Sequence, residues 1–139
     1  MRGLILLRGL SFRGPGKFCR HLEISENSYN LQIAATQTHK KFINHLSAQG
    51  HEIDIAFDTI QCENTFDILN ILSENVKYVS LKNIMDFDSQ FSLFRAIMGI
   101  ELAFKTVKYD FLLIIRNDMF LKDAFIEMRS EEHTSELQS

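Results

Sequence analysis

The polar residues best placed for chemistry follow a long apolar run in the segment YDFLLIIRND, Tyr109 to Asp118. Five consecutive apolar residues are typical of a parallel strand that is covered on both faces. This run ends in Arg116, Asn117 and Asp118. A carboxylate just past a central strand suits Mg²⁺ or Mn²⁺, hard cations that take carboxylate oxygen and bridge to phosphate. Asp118 is therefore the candidate metal ligand, while Arg116 or Lys122 could offset phosphate charge without a metal. The alternative is that Asp118 caps the helix that begins in MFLKDAFIEM.

A second candidate surface is the loop after the first apolar run, in GLSFRGPGKF. Its glycines would let backbone amides approach an anion, and Arg13 and Lys17 add positive charge. The full phosphate-loop motif is absent, because Ser11 stands where that motif has glycine and Phe18 where it has Ser or Thr. We therefore reject a nucleoside triphosphatase. A looser diphosphate contact by Arg13 or Lys17 remains, against the alternative that both are solvated cations.

Other residues with reactive side chains form no site in the sequence pattern. His39 and His45 lie six residues apart in a helical segment, point to nearly opposite sides and cannot share a metal ion. Asp54 and Asp58 share one face of a strand, which we interpret as the ordinary pattern of a half-exposed strand.

Strand and helix patterns alternate along the chain, and these elements must position the candidate site residues. Strands are predicted over 3–10, 52–58, 76–81 and 109–118, and helices over 28–49, 65–74 and 88–107. In the first helix the apolar positions Leu31, Ala35, Phe42 and Leu46 share one side with Thr38, the cap is Asn27 or Ser28, and Gly50 ends the helix.

This alternation predicts an α/β fold, a Rossmann-like parallel sheet of about four strands with helices on both faces. The commonest doubly wound order, 3-2-1-4, places the first and fourth strands side by side where the winding reverses, and ligands bind at their carboxyl ends. In that order the loop of Arg13 and Lys17 and the loop of Asn117 and Asp118 open into the same crevice. The sequence thus predicts one site built from two distant segments.

Composition narrows the class of protein. A chain with 45% hydrophobic and 24% charged residues is expected to form one globular domain. Its formal charge of -3 argues against non-specific nucleic-acid binding. The first apolar run is broken at Arg8, no run approaches the length of a membrane span, and Cys19 and Cys62 match no zinc or redox spacing. We therefore expect a cytoplasmic protein with reduced thiols and no transmembrane segment.

The last segment, RSEEHTSELQS (Arg129 to Ser139), has no apolar period and resembles, codon for codon, the translation of a common sequencing adapter. We expect a native part over 1–128, truncated at its end, and a non-native, disordered tail over 129–139. The fourth strand would leave one edge without a partner, which favours further strands beyond the cut. The alternative is a genuine disordered C-terminus.

Three segments carry a family resemblance: LILLRGLSFR near the start, SYNLQIAATQTHKKFINHL in the first helix, and KYDFLLIIRNDMFLK. Together they resemble the N-terminal half of nucleotide-sugar-dependent glycosyltransferases with a GT-A-like fold, over most of residues 3 to 125. In those enzymes an Asp-x-Asp motif binds the divalent ion and the diphosphate, and the first loop contacts the nucleotide. Here the triplet is Arg116-Asn117-Asp118, which keeps only the second aspartate. The resemblance implies donor-site roles for Ser11, Phe12 and Arg13.

We therefore expect an N-terminal, donor-binding fragment of a glycosyltransferase that transfers a sugar from a nucleotide-sugar donor to a glycan or protein hydroxyl. The expected donor-binding residues are Ser11, Phe12, Arg13, Lys17, Arg116, Asn117 and Asp118, with Mg²⁺ or Mn²⁺ on Asp118 and no catalytic base assigned. The fragment alone is expected to lack transferase activity. The alternatives are a non-catalytic flavodoxin-like or regulatory α/β module, and a fragment without function.

Overall fold

The computed structural model describes residues 1–9, 11–12, 25–82, 99–102 and 104–128. Arg13, Lys17, Phe18, Cys19, the tail over 129–139 and most of the predicted third helix lie outside this part. Within it the elements are β1 (Arg2–Arg8), α1 (Glu26–Ala48), β2 (Glu52–Ile60), α2 (Thr65–Leu72), β3 (Val76–Lys82), β4 (Phe111–Arg116) and α3 (Asp123–Met128). Residues 99–102 and 104–106 are also helical.

The four strands form one parallel sheet in the order β3-β2-β1-β4, as the sequence predicts. β1 and β4 occupy neighbouring positions, with Leu4 opposite Leu112 and Arg8 opposite Arg116. β1 is almost wholly apolar because it is covered on both faces and bonded on both edges. This order differs from that of flavodoxin-like sheets, in which β1 lies between β2 and β3.

Helical residues cover both faces of the sheet. On one face, α1 and α2 pack on the odd-numbered residues of β1 in a single core that includes Ile5, Leu7, Phe42, Ile55 and Ile68. On the other face, Leu4 packs with Tyr109, Tyr78 and Val107. We call these faces the α1 face and the opposite face.

The apolar stripe predicted for α1 is correct except at its first position. Ala35, Phe42 and Leu46 are buried, but Leu31 is 50% exposed. Between Ser28 and His39 the helix also buries polar side chains, among them Gln32, Thr36 and His39. The helix also begins earlier than predicted, because Ser25 is the N-cap and accepts from the Ser28 amide.

A charged cluster braces the amino edge of the sheet on the opposite face. The Asp54 carboxylate accepts a 2.9 Å bond from the Arg2 guanidinium and a 2.6 Å bond from the Tyr109 hydroxyl. Burial by itself would raise the pKa of Asp54, but these two hydrogen bonds outweigh it, and the pKa lies below its ordinary value. Burial and the bond to Asp54 together raise the pKa of Tyr109. Asp54 is thus a structural ion-pair residue rather than one charge of a half-exposed strand.

The helices that the structure describes include none that is both long enough and apolar enough to cross a bilayer.

Candidate functional site

The carboxyl ends of β1, β2 and β4 meet at one edge of the sheet, which we call the carboxyl rim. The chain leaves β1 at Gly9, which has a φ of +100° that favours glycine. It leaves β4 at Asn117, whose amide donates to the Arg8 carbonyl at 2.8 Å. The described part of the first loop therefore lies beside the end of β4, as the sequence predicts. Arg13 and Lys17 lie outside the described residues.

Asn117 joins the three strand ends. It is 2% exposed, and its side-chain amide donates to the carbonyl of Gly9 at 2.9 Å and to that of Asp58 at 3.3 Å. Its own carbonyl accepts from the Gln32 side chain at 2.8 Å. The Asn117 amide hydrogens are therefore used inside the protein, where they hold the rim together.

Gln32 links this brace to the first loop. Its Oε1 accepts from the Phe12 amide at 3.1 Å, while its Nε2 donates to Thr36 Oγ1 as well as to Asn117. Phe12 has a φ of 56°, a left-handed conformation that is uncommon for a bulky residue. Its ring is buried and stacks on Tyr29, with ring centroids 5.5 Å apart. The ring and the backbone amide of Phe12 are therefore both engaged inside the protein.

Ser11 is the other described member of the first loop. Its hydroxyl bonds to Thr59 Oγ1 at 2.9 Å, and Thr59 donates to the Gly9 carbonyl at 2.8 Å. Ser11 is half-buried, so it connects the loop after β1 to the end of β2 while keeping part of its surface open.

Charged residues form a row across the rim on the opposite face. Asp58 on β2, Arg8 on β1 and Arg116 on β4 stand at the same register. Side chains directly opposite each other in neighbouring strands project from the same face, and their Cα atoms lie about 5 Å apart. Asp58 is only 4% exposed, whereas Arg116 is exposed. Arg8 Nε is buried and has no hydrogen-bond partner among the residues described.

Asp118 extends this row beyond β4. Its carboxylate accepts a 3.1 Å bond from Arg116, and its side chain is 28% exposed. The next helix, α3, begins at Asp123, so Asp118 does not stand next to its first turn and the capping alternative does not hold. Among the residues described, no group of three or more His, Cys, Asp or Glu side chains could by itself hold a metal ion.

A structural histidine lies beneath the turn after β4. His39 is buried, and its Nε2 lies 2.6 Å from the Met119 carbonyl, a contact that assigns the proton to Nε2. Burial lowers the pKa of His39 below its ordinary value, although the Met119 bond and the nearby Asp118 charge act in the other direction. His39 is therefore a neutral support for the Met119 turn.

An apolar pocket of about 180 Å³ begins beside Asp58 on the opposite face. Its floor is formed by β1, β2 and β3, and the helical residues 99–102 lie over it. The residues that line the pocket include Asp58, Ser80, Tyr78, Ala56 and Leu102. A polar rim next to an apolar pocket is an arrangement common to small-molecule sites.

The sequence interpretation missed Arg8, Asp58 and Gln32 as members of this site. A signal for Arg8 was present, because the two adjacent strands read LILLR and LLIIR and each ends in arginine at the same register. Asp58 shared its alternating pattern with Asp54, and no pattern within β2 distinguishes the two. Gln32 lies 85 residues from Asn117, whose carbonyl it binds, so the local sequence does not predict that contact.

Comparison of the chain with protein-family models, with curated proteins and with solved structures finds no match.

Proposed function

We propose that the carboxyl rim binds the diphosphate of a nucleotide-sugar donor, as the donor part of a glycosyltransferase acting on a glycan or protein hydroxyl. The observation that carries the phosphate part is the placement of Arg8 directly opposite Arg116. Asp58 stands beside Arg8 and Asp118 is bonded to Arg116, and between these carboxylates the two arginines offer adjacent cationic side chains to an anion. The position is the switch point of the sheet, where α/β proteins bind ligands.

The choice of a nucleotide sugar is supported by the resemblance of three segments to GT-A-like glycosyltransferases. The pocket beside Asp58 offers apolar walls for the uncharged part of such a donor. The free Cys62 is consistent with a cytoplasmic setting, which we include in the proposal.

Some of the described residues would contact the donor, and others hold those residues in position. Arg8 and Arg116 would offset the negative charge of the diphosphate, and Ser11 would contact the nucleotide. Gln32 and Asn117 hold the loop and the strand end in place through hydrogen bonds that are already complete. Arg13 and Lys17 keep their proposed donor contacts as predictions.

Asp118 is the candidate ligand for Mg²⁺ or Mn²⁺. Such ions often take one or two carboxylates and complete their shell with water and phosphate oxygen, so a single aspartate suffices beside a diphosphate. When bound, the ion would stabilise charge on the leaving diphosphate. Arg116 competes for the same carboxylate, since the two side chains are bonded at 3.1 Å. Phosphate binding by the arginines therefore does not require that Asp118 bind a metal ion.

Titration calorimetry with uridine or guanosine diphosphate, each with and without Mn²⁺, tests the proposal. We expect binding by the intact rim and a loss of at least about tenfold in affinity for Arg8→Gln and for Arg116→Gln, which corresponds to about 1.4 kcal/mol. Lys108→Gln is the matched control, because it removes a cation from the exposed segment before β4. The proposal would be contradicted if no nucleotide gave a heat of binding, or if Lys108→Gln lost as much affinity as the arginine variants.

Asp118→Asn separates the metal from the phosphate contact. If Asp118 holds the ion, this variant removes the part of the affinity that Mn²⁺ adds, while metal-free binding is not weakened because Arg116 is released from the carboxylate. Glu52→Gln at the exposed amino edge is the control. Equal binding with and without Mn²⁺ in the unmodified protein would instead assign the phosphate contact to the arginines alone.

A further inference from the structure

The row of polar side chains at the carboxyl rim extends across all four strands of the sheet. Ser80 on β3 stands at the same register as Asp58 on β2, and Asp58 in turn shares its register with Arg8 and Arg116. Side chains at one register project from the same face, and neighbouring strands lie about 5 Å apart. Along the row the cations therefore stand on β4 and β1, a carboxylate on β2 and a hydroxyl on β3.

Asp58 stands where the cationic part of the row meets the apolar pocket. It is 4% exposed, and it lines the pocket of about 180 Å³ together with Ala56, Tyr78 and Leu102. An ionised carboxylate accepts hydrogen bonds and donates none, and its two oxygens offer about four acceptor positions. The interaction that Asp58 makes within the protein therefore leaves acceptor positions for a ligand. The ligand group that reaches Asp58 must be a hydrogen-bond donor, because an acceptor there would have no partner.

The order of groups in a nucleoside diphosphate matches the order of groups along the row. The ribose follows the diphosphate directly, and its hydroxyls are the hydrogen-bond donors nearest to the phosphates. With the diphosphate at Arg8 and Arg116, the next strand, about 5 Å away, presents Asp58, so the ribose lies over β2. The base then follows into the pocket, where its flat faces meet apolar and aromatic side chains.

The apolar groove at β4 is less suited to the nucleoside than the pocket beside Asp58. This groove is lined by Leu113 and Ile115, which pack with the core of the α1 face. The arginines project from the opposite face, and beyond Arg116 the row continues to Asp118, which is bonded to Arg116. The pocket beside Asp58 lies on the same face as the arginines, so the nucleoside extends toward β2 and β3.

We propose that Asp58 makes the rim specific for ribose: its carboxylate accepts hydrogen bonds from the 2′ and 3′ hydroxyls, and the pocket over Ala56 receives the base. The two hydroxyls are adjacent, as are the two oxygens of the carboxylate. This inference rests on the proposed function, since it takes the diphosphate contact of Arg8 and Arg116 as its starting point. A ribonucleoside diphosphate is then preferred to its 2′-deoxy form, which lacks one of these hydroxyls.

Titration calorimetry with uridine diphosphate and 2′-deoxyuridine diphosphate, and with the matching guanosine pair, tests the ribose contact. In the unmodified protein we expect the ribonucleotide to bind at least about tenfold more tightly, because the 2′-deoxy form leaves a buried acceptor unpaired. Asp58→Asn should reduce this ratio to about threefold or less without weakening the 2′-deoxy nucleotide, because it removes a negative charge beside the diphosphate. An equal loss of affinity for both nucleotides would instead assign Asp58 a structural role and overturn the proposal.

Glu63→Gln is the matched control, because it removes a carboxylate from an exposed position in the turn after β2. It should leave the ratio of the two affinities unchanged, and a fall equal to that in Asp58→Asn would overturn the ribose contact. Equal binding of ribonucleotide and 2′-deoxy nucleotide, with the loss in the arginine variants still present, would overturn the ribose contact and leave the diphosphate site standing. No heat of binding for any nucleotide would overturn the proposed function, and the ribose contact with it.

Ala56→Leu tests the place of the base. The larger side chain fills part of the pocket, so we expect the nucleotide to bind at least about tenfold more weakly. Inorganic diphosphate, which has no base, should bind as it does to the unmodified protein. Ala48→Leu, the same change at the exposed end of α1, is the control and should alter neither affinity. Unchanged nucleotide affinity in Ala56→Leu, or an equal loss for inorganic diphosphate, would overturn the assignment of the pocket to the base.

Discussion

At the scale of the residue, the carboxyl rim depends on polar side chains that are buried with their hydrogen bonds complete. Gln32 uses its carbonyl oxygen for the Phe12 amide and its amide for the Asn117 carbonyl and the Thr36 hydroxyl. A buried polar group costs little free energy when it is satisfied and much more when its partner is removed. Such residues therefore fix the position of the loop and the strand end.

Replacement of Gln32 by leucine tests this brace. Gln32→Leu keeps the volume but leaves the Phe12 amide and the Asn117 carbonyl buried without these partners. We expect a loss of about 2–4 kcal/mol in the free energy of unfolding, measured with urea. Gln37→Leu, the same change on the exposed side of α1, should change stability by no more than about 0.5 kcal/mol. Similar losses in both variants would contradict a specific role for Gln32.

His39 gives the protein a pH-dependent stability. Its folded pKa lies below the ordinary value near 6.5, so between the two values the unfolded chain binds more protons than the folded one. This part of the stability is complete above about pH 6.5 and is lost as the pH falls below it. The lowered pKa of Asp54 acts in a more acidic range.

We expect the unfolding free energy to fall between pH 7 and pH 5, and His39→Gln to flatten that fall while an amide hydrogen still reaches the Met119 carbonyl. His45→Gln, in the last turn of α1, is the control and should keep the slope of the unmodified protein. An unchanged slope in His39→Gln would show that another group titrates there.

At the scale of the element, the alternation of strands and helices together with the commonest doubly wound order predicted the sheet order. The right-handed crossover rule leaves few other arrangements, and the unbroken apolar runs of β1 and β4 fit neighbouring parallel strands. The amphipathic face of α1 was predicted only where it meets the apolar core. Between Ser28 and His39 the helix lies at the polar rim, and an apolar pattern cannot indicate the burial of Gln32 or His39.

The candidate site was predictable to the same degree. The position of Arg116 and Asp118 beside the first loop follows from strand order, which the sequence supplies. The inward direction of Phe12 and Asn117 depends on contacts between segments that are far apart in the chain. Such contacts cannot be predicted from local sequence. A polar residue at a strand end, such as Asn117, can therefore be predicted as a ligand-binding residue although its side chain bonds only within the protein.

The contact between β1 and β4 depends on a glycine. A Cβ at Gly3 would overlap the ring of Phe111, its direct partner in the sheet. We expect Gly3→Ala to destabilise the protein by about 1–3 kcal/mol, because the Phe111 ring must shift. The smaller side chain of Phe111→Leu should recover part of that loss in the double variant, measured as a coupling free energy from urea unfolding.

Gly99→Ala is the matched control for this substitution. A Cβ at Gly99 meets nothing within 4 Å, and the residue is helical. Alanine is a better helix former than glycine, so the change should be neutral or stabilise by about 0.5–1 kcal/mol. A loss in Gly99→Ala as large as that in Gly3→Ala would mean that the loss does not arise from the Phe111 contact.

At the scale of the whole molecule, two separate polar clusters hold the ends of the same sheet. The carboxyl rim is held by Gln32 and Asn117, and the amino edge by Asp54 with Arg2 and Tyr109. β1 connects them, and seven residues of strand span about 20 Å. The core between the clusters is apolar and includes Ile5, Leu7 and Ile55.

This separation predicts that the two clusters contribute independently to stability. Tyr109→Phe removes the donor of the 2.6 Å bond to Asp54 and should cost about 1.5–3 kcal/mol by itself. In the double variant with Gln32→Leu, the losses should add to within about 0.5 kcal/mol, because the sites share no partner. Gln32→Leu combined with Thr36→Val supplies a coupled control, since those side chains are bonded at 3.1 Å and their losses should not add. A coupling above about 1 kcal/mol between Gln32 and Tyr109, with an unchanged urea dependence, would mean that the sheet transmits strain from one edge to the other.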